Sequence, residues 1–403
     1  MSAIYGPLAM TILVRSLVLA FALVLSVPAC NAWSSVESGP AAAPARKVKV
    51  DRASLPVLEL TDAELSRFKQ GDALFEAVVR ESDGLGPLYV RDACSACHVD
   101  DGRGPGLVTK MAPRQGVQVE LEKLLPFGTT ERPYAAAGAK TPLLAPQDSR
   151  LVVTHRLPPA VFGRGYLEAI ADQDIERLAE RAAARSGSAR GRLSRLKDGT
   201  IGRFGVKARI STLESFVVDA LSSDMGLSSP AQPEEPPGPE GLRDDHKLGV
   251  DFSAEQVALL RDYLQGLAIP QREPSTGLGP ALFAEVGCAD CHEPELRTRA
   301  DYPVRALAGV SAVVYTDLLL HDMGEALSDG QHEEGAKPRE FRTAPLMGLR
   351  FLPSLLHDGS AKTVHEAILA HGAADSEGRD AARAFLALSS ARQAELVSFV
   401  ETL

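Results

Sequence analysis

The chain is poor in sulfur and in aromatic rings: five cysteines, six methionines and a single tryptophan in 403 residues, with aromatics at 5%. Five cysteines are too few for a disulfide scaffold. Each also has another assignment: Cys30 directly follows a stretch that reads as an export leader, and the other four fall in two C-x-x-C-H motifs. No thiol is left to form a disulfide. Basic residues are in deficit, 43 against 53 acidic, for a net charge of −10. That balance argues against nucleic-acid binding and fits small-molecule substrates or basic protein partners. The apolar run Leu17–Leu25 is too short for a membrane span. With Arg15 before it and Ser26-Val27-Pro28-Ala29-Cys30 after it, the run reads as a secretory signal.

The two motifs are Cys94-Ser95-Ala96-Cys97-His98 and Cys288-Ala289-Asp290-Cys291-His292. C-x-x-C-H is the attachment pattern of c-type haem. The thiols of Cys94 and Cys97, and of Cys288 and Cys291, would form thioethers to the vinyl groups of one porphyrin each. His98 and His292 would then be the proximal iron ligands. The expected cofactors are two covalently bound haem c groups. Four thiolates also suit one zinc site. The two histidines at identical offsets, the repeated flanks and the export signal argue against zinc.

Residues 1–29 read as a signal peptide of lipoprotein type. Val27-Pro28-Ala29-Cys30 resembles a lipobox, so Cys30 is the expected lipid anchor; ordinary cleavage after Ala29 or Ala32 is the alternative. Residues 30–55, with Pro40-Ala41-Ala42-Ala43-Pro44-Ala45, read as a flexible tether. The remainder repeats itself. Gly84-Leu85-Gly86-Pro87 leads into Cys94 as Gly277-Leu278-Gly279-Pro280 leads into Cys288. Helices opened by capping boxes are expected at Thr61–Glu64, Ser253–Gln256 and Ser390–Gln393. The second carries Val257, Leu260, Leu264 and Leu267 on one face, the third Leu396, Phe399, Val400 and Leu403. Closing helices of this kind resemble the last helix of a cytochrome c domain. The expected fold is mainly α, with two cytochrome c-like haem domains, 56–270 and 271–403. The first holds a long insertion, in which 167–178 reads as one helix.

The order of further segments is more specific. Gly163-Arg164-Gly165-Tyr166-Leu167-Glu168-Ala169-Ile170, Gly202-Arg203-Phe204-Gly205-Val206-Lys207-Ala208 and Asp224-Met225-Gly226 come first. Leu319-Leu320-His321-Asp322-Met323-Gly324, Phe341-Arg342-Thr343-Ala344-Pro345-Leu346 and Leu356-His357-Asp358-Gly359 follow. In this order they resemble the bacterial dihaem oxidoreductases of the peroxidase and thiol-oxidoreductase type, relatives of the dihaem cytochrome c peroxidases. The resemblance implies one haem per domain and one-electron chemistry with peroxide.

It also directs attention to the sixth position of each iron. A firmly held Met or His leaves a haem to pass electrons, whereas a vacant position admits peroxide. Related peroxidases carry a ligand Met directly before His-Asp-Gly; here that place is Leu356, which cannot bind iron. Met323 is the expected replacement at the second haem, with Met347 as runner-up and core packing as the alternative. Related peroxidases place an acid beside a Met in the peroxide pocket, and Asp224-Met225 resembles that pair with Asp for the usual Glu. Asp224 is therefore the candidate acid/base of the first haem, while Met225 could instead bind its iron. Both Met-Gly pairs are expected on turns. His321 is a candidate ligand or hydrogen-bonding neighbour of the second haem, and His357 a turn or propionate contact. His155, His246, His332, His365 and His371 read as surface or core histidines. Arg203, Lys207 and Arg342 are candidate propionate partners, with exposed salt bridges as the alternative. Relatives usually carry a Trp between the haems where Val206 stands; the one Trp, Trp33, lies in the tether. Direct tunnelling, or Tyr89 or Tyr166, would have to serve.

The expected function is an exported dihaem oxidoreductase on the periplasmic face of a bacterial envelope. The second haem would feed a peroxide-reactive first haem. The expected donor is a small electron-donor protein or a quinol-linked donor, peroxide is the expected substrate, and the membrane is met only through the Cys30 anchor. A non-enzymatic carrier with two six-coordinate haems, and an oxidase of thiol or protein substrates, are the alternatives.

Overall fold

Helices begin where nearby side chains can satisfy their first amides. In the computed structural model, which describes residues 55–101, 107–117, 120–136, 138–242, 248–272 and 277–403, ten α-helices are found among the described residues. The leader, Cys30, nearly all of the tether with Trp33, and His246 lie outside them. Helix α1 (Asp62–Glu76) is opened by the Thr61–Glu64 box and buries Phe68, Gly71 and Phe75 on one face. A four-residue α2 (Leu121–Leu124) and a five-residue α3 (Arg164–Glu168) follow. Helix α4 (Asp172–Ala184) has Asp172 and Asp174 in its first turn and Arg181 in its last, complementing the helix dipole. It buries Ile175, Leu178 and Ala182. The chain thus leaves the helix between Ala169 and Ala171, and the single helix expected over 167–178 is two.

Helix α5 (Leu213–Met225) is capped by Thr212 and stopped by left-handed Gly226, φ 71°. Helix α6 (Ala254–Gly266) opens with the expected Ser253–Gln256 box, and the four expected apolar residues are buried. Next come α7 (Gly279–Glu285, with Pro280 in its first turn), α8 (Val364–Ala370) and α9 (Arg379–Ala387). The last is α10 (Ser390–Val400). Its expected capping box is not formed. The N-cap is Ser389, one residue earlier than expected, and the Gln393 amide donates back to Leu386 O and Leu388 O.

The fold is mixed rather than mainly α, because among the described residues four antiparallel two-stranded ladders join the helices. The largest pairs Val108–Pro113 with Leu151–Arg156, and another pairs Leu320–Asp322 with Glu340–Arg342. One apolar cluster runs from Phe68 to Leu403. Beside it, charges are buried in compensated groups. The Lys207 ammonium lies 3.0 Å from Asp329, which also accepts from Arg156 Nε at 2.9 Å. No helix among the described residues is long and apolar enough to cross a membrane.

Candidate functional site

Each C-x-x-C-H motif is a tight turn closed by its own backbone. Cys97 N and His98 N both donate to Cys94 O, at 3.1 and 3.0 Å, and Cys291 N and His292 N to Cys288 O, at 3.4 and 2.9 Å. Each turn is backed by a helix crossing. At Gly71, where α1 meets α6, an added Cβ would lie 2.2 Å from Leu259 O and 2.6 Å from Tyr263 Cβ. At Gly279, where α7 meets α10, it would lie 2.2 Å from Phe399 Cβ. Four residues after each glycine a phenylalanine packs on the motif histidine, Phe75 at 6.0 Å from His98 and Phe283 at 6.5 Å from His292.

The donor set fits haem c. Burial pushes the Cys94 thiol up to about 12, Cys97 to about 11 and Cys288 to about 12. Neutral buried sulfur suits a thioether and opposes a thiolate. Among the described residues the four cysteines share no common cluster, so the single zinc site finds no support; the one group with metal-ligand spacing is Cys291, Asp317 and His321. His292 Nδ1 lies 3.1 Å from Tyr315 O, and since a carbonyl only accepts, that nitrogen carries the hydrogen. Burial, with His371 nearby, holds the imidazole down to about 4. It is therefore neutral, with the Nε2 lone pair left for a metal.

The second motif opens into a mostly apolar cavity of about 240 Å³ walled by Cys288, Cys291 and His292. Met323, Met347, His321, Leu356, His357 and Arg342 share that wall. Pro159, Ala160, Arg164 and Val206 of the insertion complete it. The insertion also grips the motif from outside, through Arg181–Glu293 at 2.8 Å and Arg185–Asp290 at 3.5 Å.

Met323 follows directly on the Leu320–Asp322 strand rather than on a turn, its N–H donating to Arg339 O at 2.9 Å, before Gly324, φ 79°. His321 is taken up otherwise. Its Nε2 lies 3.0 Å from Asp317 and its Nδ1 2.7 Å from Glu377, with the Cys291 sulfur at 3.6 Å. Burial alone would lower its pKa, but these partners raise it well above the ordinary value. A ring bonded by carboxylates at both nitrogens is an imidazolium, not an iron ligand. His357 stacks on Phe341, ring centroids 4.3 Å apart.

Two of the expected propionate partners are engaged elsewhere. Arg203 donates to the carbonyls of Leu167, Glu168 and Ile170 and pairs with Asp172. The Lys207 ammonium donates to the carbonyls of Lys337, Pro338 and Glu340 besides pairing with Asp329. Arg342 does reach the cavity, and Arg164 joins it there.

At the first motif, Asp224 and Met225 are the last two residues of α5, not a free turn. Their carbonyls tie this helix end to the strand ahead of Cys94: Val90 N donates to Asp224 O at 2.6 Å and Gly86 N to Met225 O at 3.1 Å. Gly226 permits the approach, since a Cβ there would lie 2.5 Å from Gly86 O. The Asp224 carboxylate is near enough to raise both Cys94 and Cys97. Burial raises its own pKa and Lys110 opposes the rise. Met225 is 5% exposed, beside it.

Lys110 and His371 were not legible as site residues. Lys110 lies in a strand without motif or repeat, and its Nζ donates to Thr130 Oγ1 at 2.5 Å. His371, read as surface or core, caps α8 and lines the second cavity. Its Nδ1 is held 2.6 Å from Ala367 O, and burial lowers its pKa. It repeats the state of His292: neutral, with Nδ1 tied to a carbonyl.

No curated protein matches the chain. Among solved structures, hydrazine synthase of Kuenenia stuttgartiensis under 20 bar of xenon is similar at 13% identity and a TM-score of 0.39. The alignment covers 90% of this chain and 99% of that one. A likeness that distant carries no argument about chemistry. The family described as "Di-haem oxidoreductase, putative peroxidase" matches residues 109–403. That stretch includes the second motif, Asp224 and the second cavity, and begins just after the first motif. The match spans well over half of the chain, and the protein belongs to the di-haem oxidoreductase family.

Proposed function

We propose that this protein is an exported dihaem c-type oxidoreductase that reduces peroxide. Two haem modules, 56–270 and 271–403, would hold one haem each, on Cys94, Cys97 and His98 and on Cys288, Cys291 and His292. Electrons would enter at the second and pass to the first. When bound, the haems supply one-electron carriage and a site at which peroxide can be reduced.

The observation that carries this reading is the placing of Asp224. The α5 terminus brings a partly desolvated carboxyl to the first motif, with Lys110 as a compensating cation. Splitting O–O heterolytically requires a proton to leave the near oxygen and reach the far one. A carboxyl whose pKa is raised by burial holds a proton more readily than a solvated one and can still release it. Lys110 keeps the deprotonated form accessible, so Asp224 can both take and give. Met225, at the same helix end, is the competing group, and its ligation would make the first haem a carrier. That is the second reading, a non-enzymatic cytochrome with two six-coordinate haems.

At the second module the side chains favour electron transfer. The cavity wall offers Met323 and His371 as distal ligands. His371 has the stronger support, because its Nδ1 is held and its neutral ring leaves Nε2 as donor. Arg164 and Arg342 in the same wall suit the propionates. The leader and Cys30 would place the protein on the periplasmic face of a bacterial envelope, served by a small electron-donor protein or a quinol-linked donor. Mixing the fully oxidised and the half-reduced protein with hydrogen peroxide, followed by optical spectroscopy, tests the reading. A peroxide-dependent change confined to the haem on His98 supports it. Two six-coordinate, unreactive haems in every redox state overturn it.

A further inference from the structure

The crossings behind the two motifs share a glycine, a phenylalanine four residues on and an aromatic ring on the facing helix. Gly71 with Phe75 and Gly279 with Phe283 are the matching pairs on α1 and α7. Phe75 packs on Tyr263 with ring centroids 5.1 Å apart, as Phe283 packs on Phe399 at 5.8 Å. Phe399 and Tyr263 are thus equivalent, and they differ by a hydroxyl. Packing alone does not ask for that hydroxyl, and burying it has a desolvation cost unless it is bonded. Tyr263 is 0% exposed, and its hydroxyl donates to Asp101 Oδ1 at 2.7 Å. Asp101 is itself 1% exposed and stands three residues after His98. Asp72, next to Gly71, faces the same hydroxyl. The second module has a tyrosine beside its histidine too, Tyr315, but that hydroxyl accepts from Arg272 at 2.9 Å. The second module does hold a buried phenol on a carboxylate, Tyr302 donating to Glu168 at 2.6 Å, but its ring packs in a separate apolar cluster with Val57, Ala169 and Leu307.

A phenol that loses an electron becomes a strong acid, so it oxidises readily only where a base is already hydrogen-bonded to take its proton. Burial and the two acidic side chains hold the Tyr263 phenol far above its usual range, so the resting ring keeps its hydroxyl hydrogen, which points at Asp101. Phe75 packs on both the Tyr263 ring, at 5.1 Å, and His98, at 6.0 Å.

We propose that Tyr263 is a redox-active residue of the first site. Resting on the peroxide reading above, the step is as follows. Hydrogen peroxide takes two electrons from the first site and two protons, one by way of Asp224 and one from solvent, and leaves as two waters. When no donor electron arrives, the Tyr263 phenol returns one of the two, and its proton passes along the 2.7 Å hydrogen bond to the Asp101 carboxylate. A neutral tyrosyl radical and a protonated Asp101 remain.

Rapid-freeze electron paramagnetic resonance tests this on the full dihaem protein, oxidised and mixed with hydrogen peroxide without donor, with the optical change followed in parallel. The wild type is expected to give a tyrosyl signal whose line shape narrows when ring-deuterated tyrosine is incorporated. Tyr263→Phe, which copies the second module, should keep both haems and the optical change but lose the signal roughly tenfold or more. Asp101→Asn combined with Asp72→Asn retains the ring and removes both acceptors, and should suppress the signal similarly. An optical change with no tyrosyl signal, or with one undiminished in these variants, overturns the inference while leaving the peroxide reading intact. No optical change in the wild type overturns the peroxide reading and this inference with it.

Discussion

Gly279 lies so close beneath Phe399 that a methyl group on it would sit 2.2 Å from the phenylalanine Cβ, and Gly71 stands in the same relation to Tyr263, at 2.6 Å. These two contacts set the distance between the first and last helices of each half. They also place a phenylalanine of each first helix against a motif histidine. What differs between the halves is chemistry laid on one repeated frame: a phenol with carboxylates and the Asp224–Lys110 pair at the first motif, an apolar cavity with spare ligands at the second.

The crossings tolerate no side chain. Gly71→Ala and Gly279→Ala should each lower stability by ~1–3 kcal/mol, the usual range for overpacking, read as a fall in the denaturation midpoint with unchanged slope. Ala in place of the neighbouring exposed Lys69 should be close to neutral.

Haem attachment should be separable by module. Replacing Cys94 and Cys97 by Ser, or Cys288 and Cys291 by Ser, should each reduce the pyridine haemochrome count from two haems per chain to one. A variant of either pair that still carries two would remove the assignment.

The distal ligand of the second haem has a direct spectroscopic readout. Near-infrared magnetic circular dichroism should show a bis-histidine signature that His371→Ala abolishes and Met323→Ala leaves in place. A histidine–methionine signature lost in Met323→Ala would instead return the role to Met323.

Asp224→Asn should lower kcat/KM for peroxide by about a hundredfold or more, the usual worth of a positioned acid/base, with both haems retained. Lys110→Met should move the acid limb of the rate profile upward, because the Asp224 carboxyl then loses the cation that opposes its raised pKa.

His357 should make stability depend on pH in one direction. Burial pushes its imidazole down to about 4 from an ordinary 6.5. Between those values the unfolded chain binds a proton that the folded one does not. Stability should therefore fall as pH drops from 6.5 to 4 and be unaffected by this group above 6.5. His357→Asn should flatten that part of the profile in a series of denaturant titrations.

Much of the frame was legible in the chain itself. The two haem motifs, the Thr61 and Ser253 boxes and the apolar faces of α6 and α10 are local patterns, and local geometry follows from them. The break at Ala169–Ala171 and the start of α10 at Ser389 depend on tertiary contacts such as Arg203 drawing on the carbonyls of residues 167–170, which periodicity does not carry. Three of the ladders pair segments of two or three residues, too brief to show alternation, and the six-residue pair Val108–Pro113 and Leu151–Arg156 does not bury alternate residues. Asp224 was found because it sits in a motif. Lys110, His371 and Tyr263 lie in ordinary strand and helix sequence, and only folding brings them to the sites. Lys207 and Arg203 misled because a buried cation bonded to carbonyls has the same sequence signature as one facing a propionate.

The central claim is that the two modules are unequal, with peroxide chemistry on the His98 side. The most direct measurement is optical and electron paramagnetic resonance spectroscopy of the protein with one haem reduced, before and after hydrogen peroxide, in the wild type and the two cysteine-pair variants. The account predicts a ligand-accessible, peroxide-reactive haem that disappears with Cys94 and Cys97 and is still ligand-accessible when Cys288 and Cys291 are replaced. A reactive haem that follows Cys288 and Cys291, or no reactive haem at all, would contradict it.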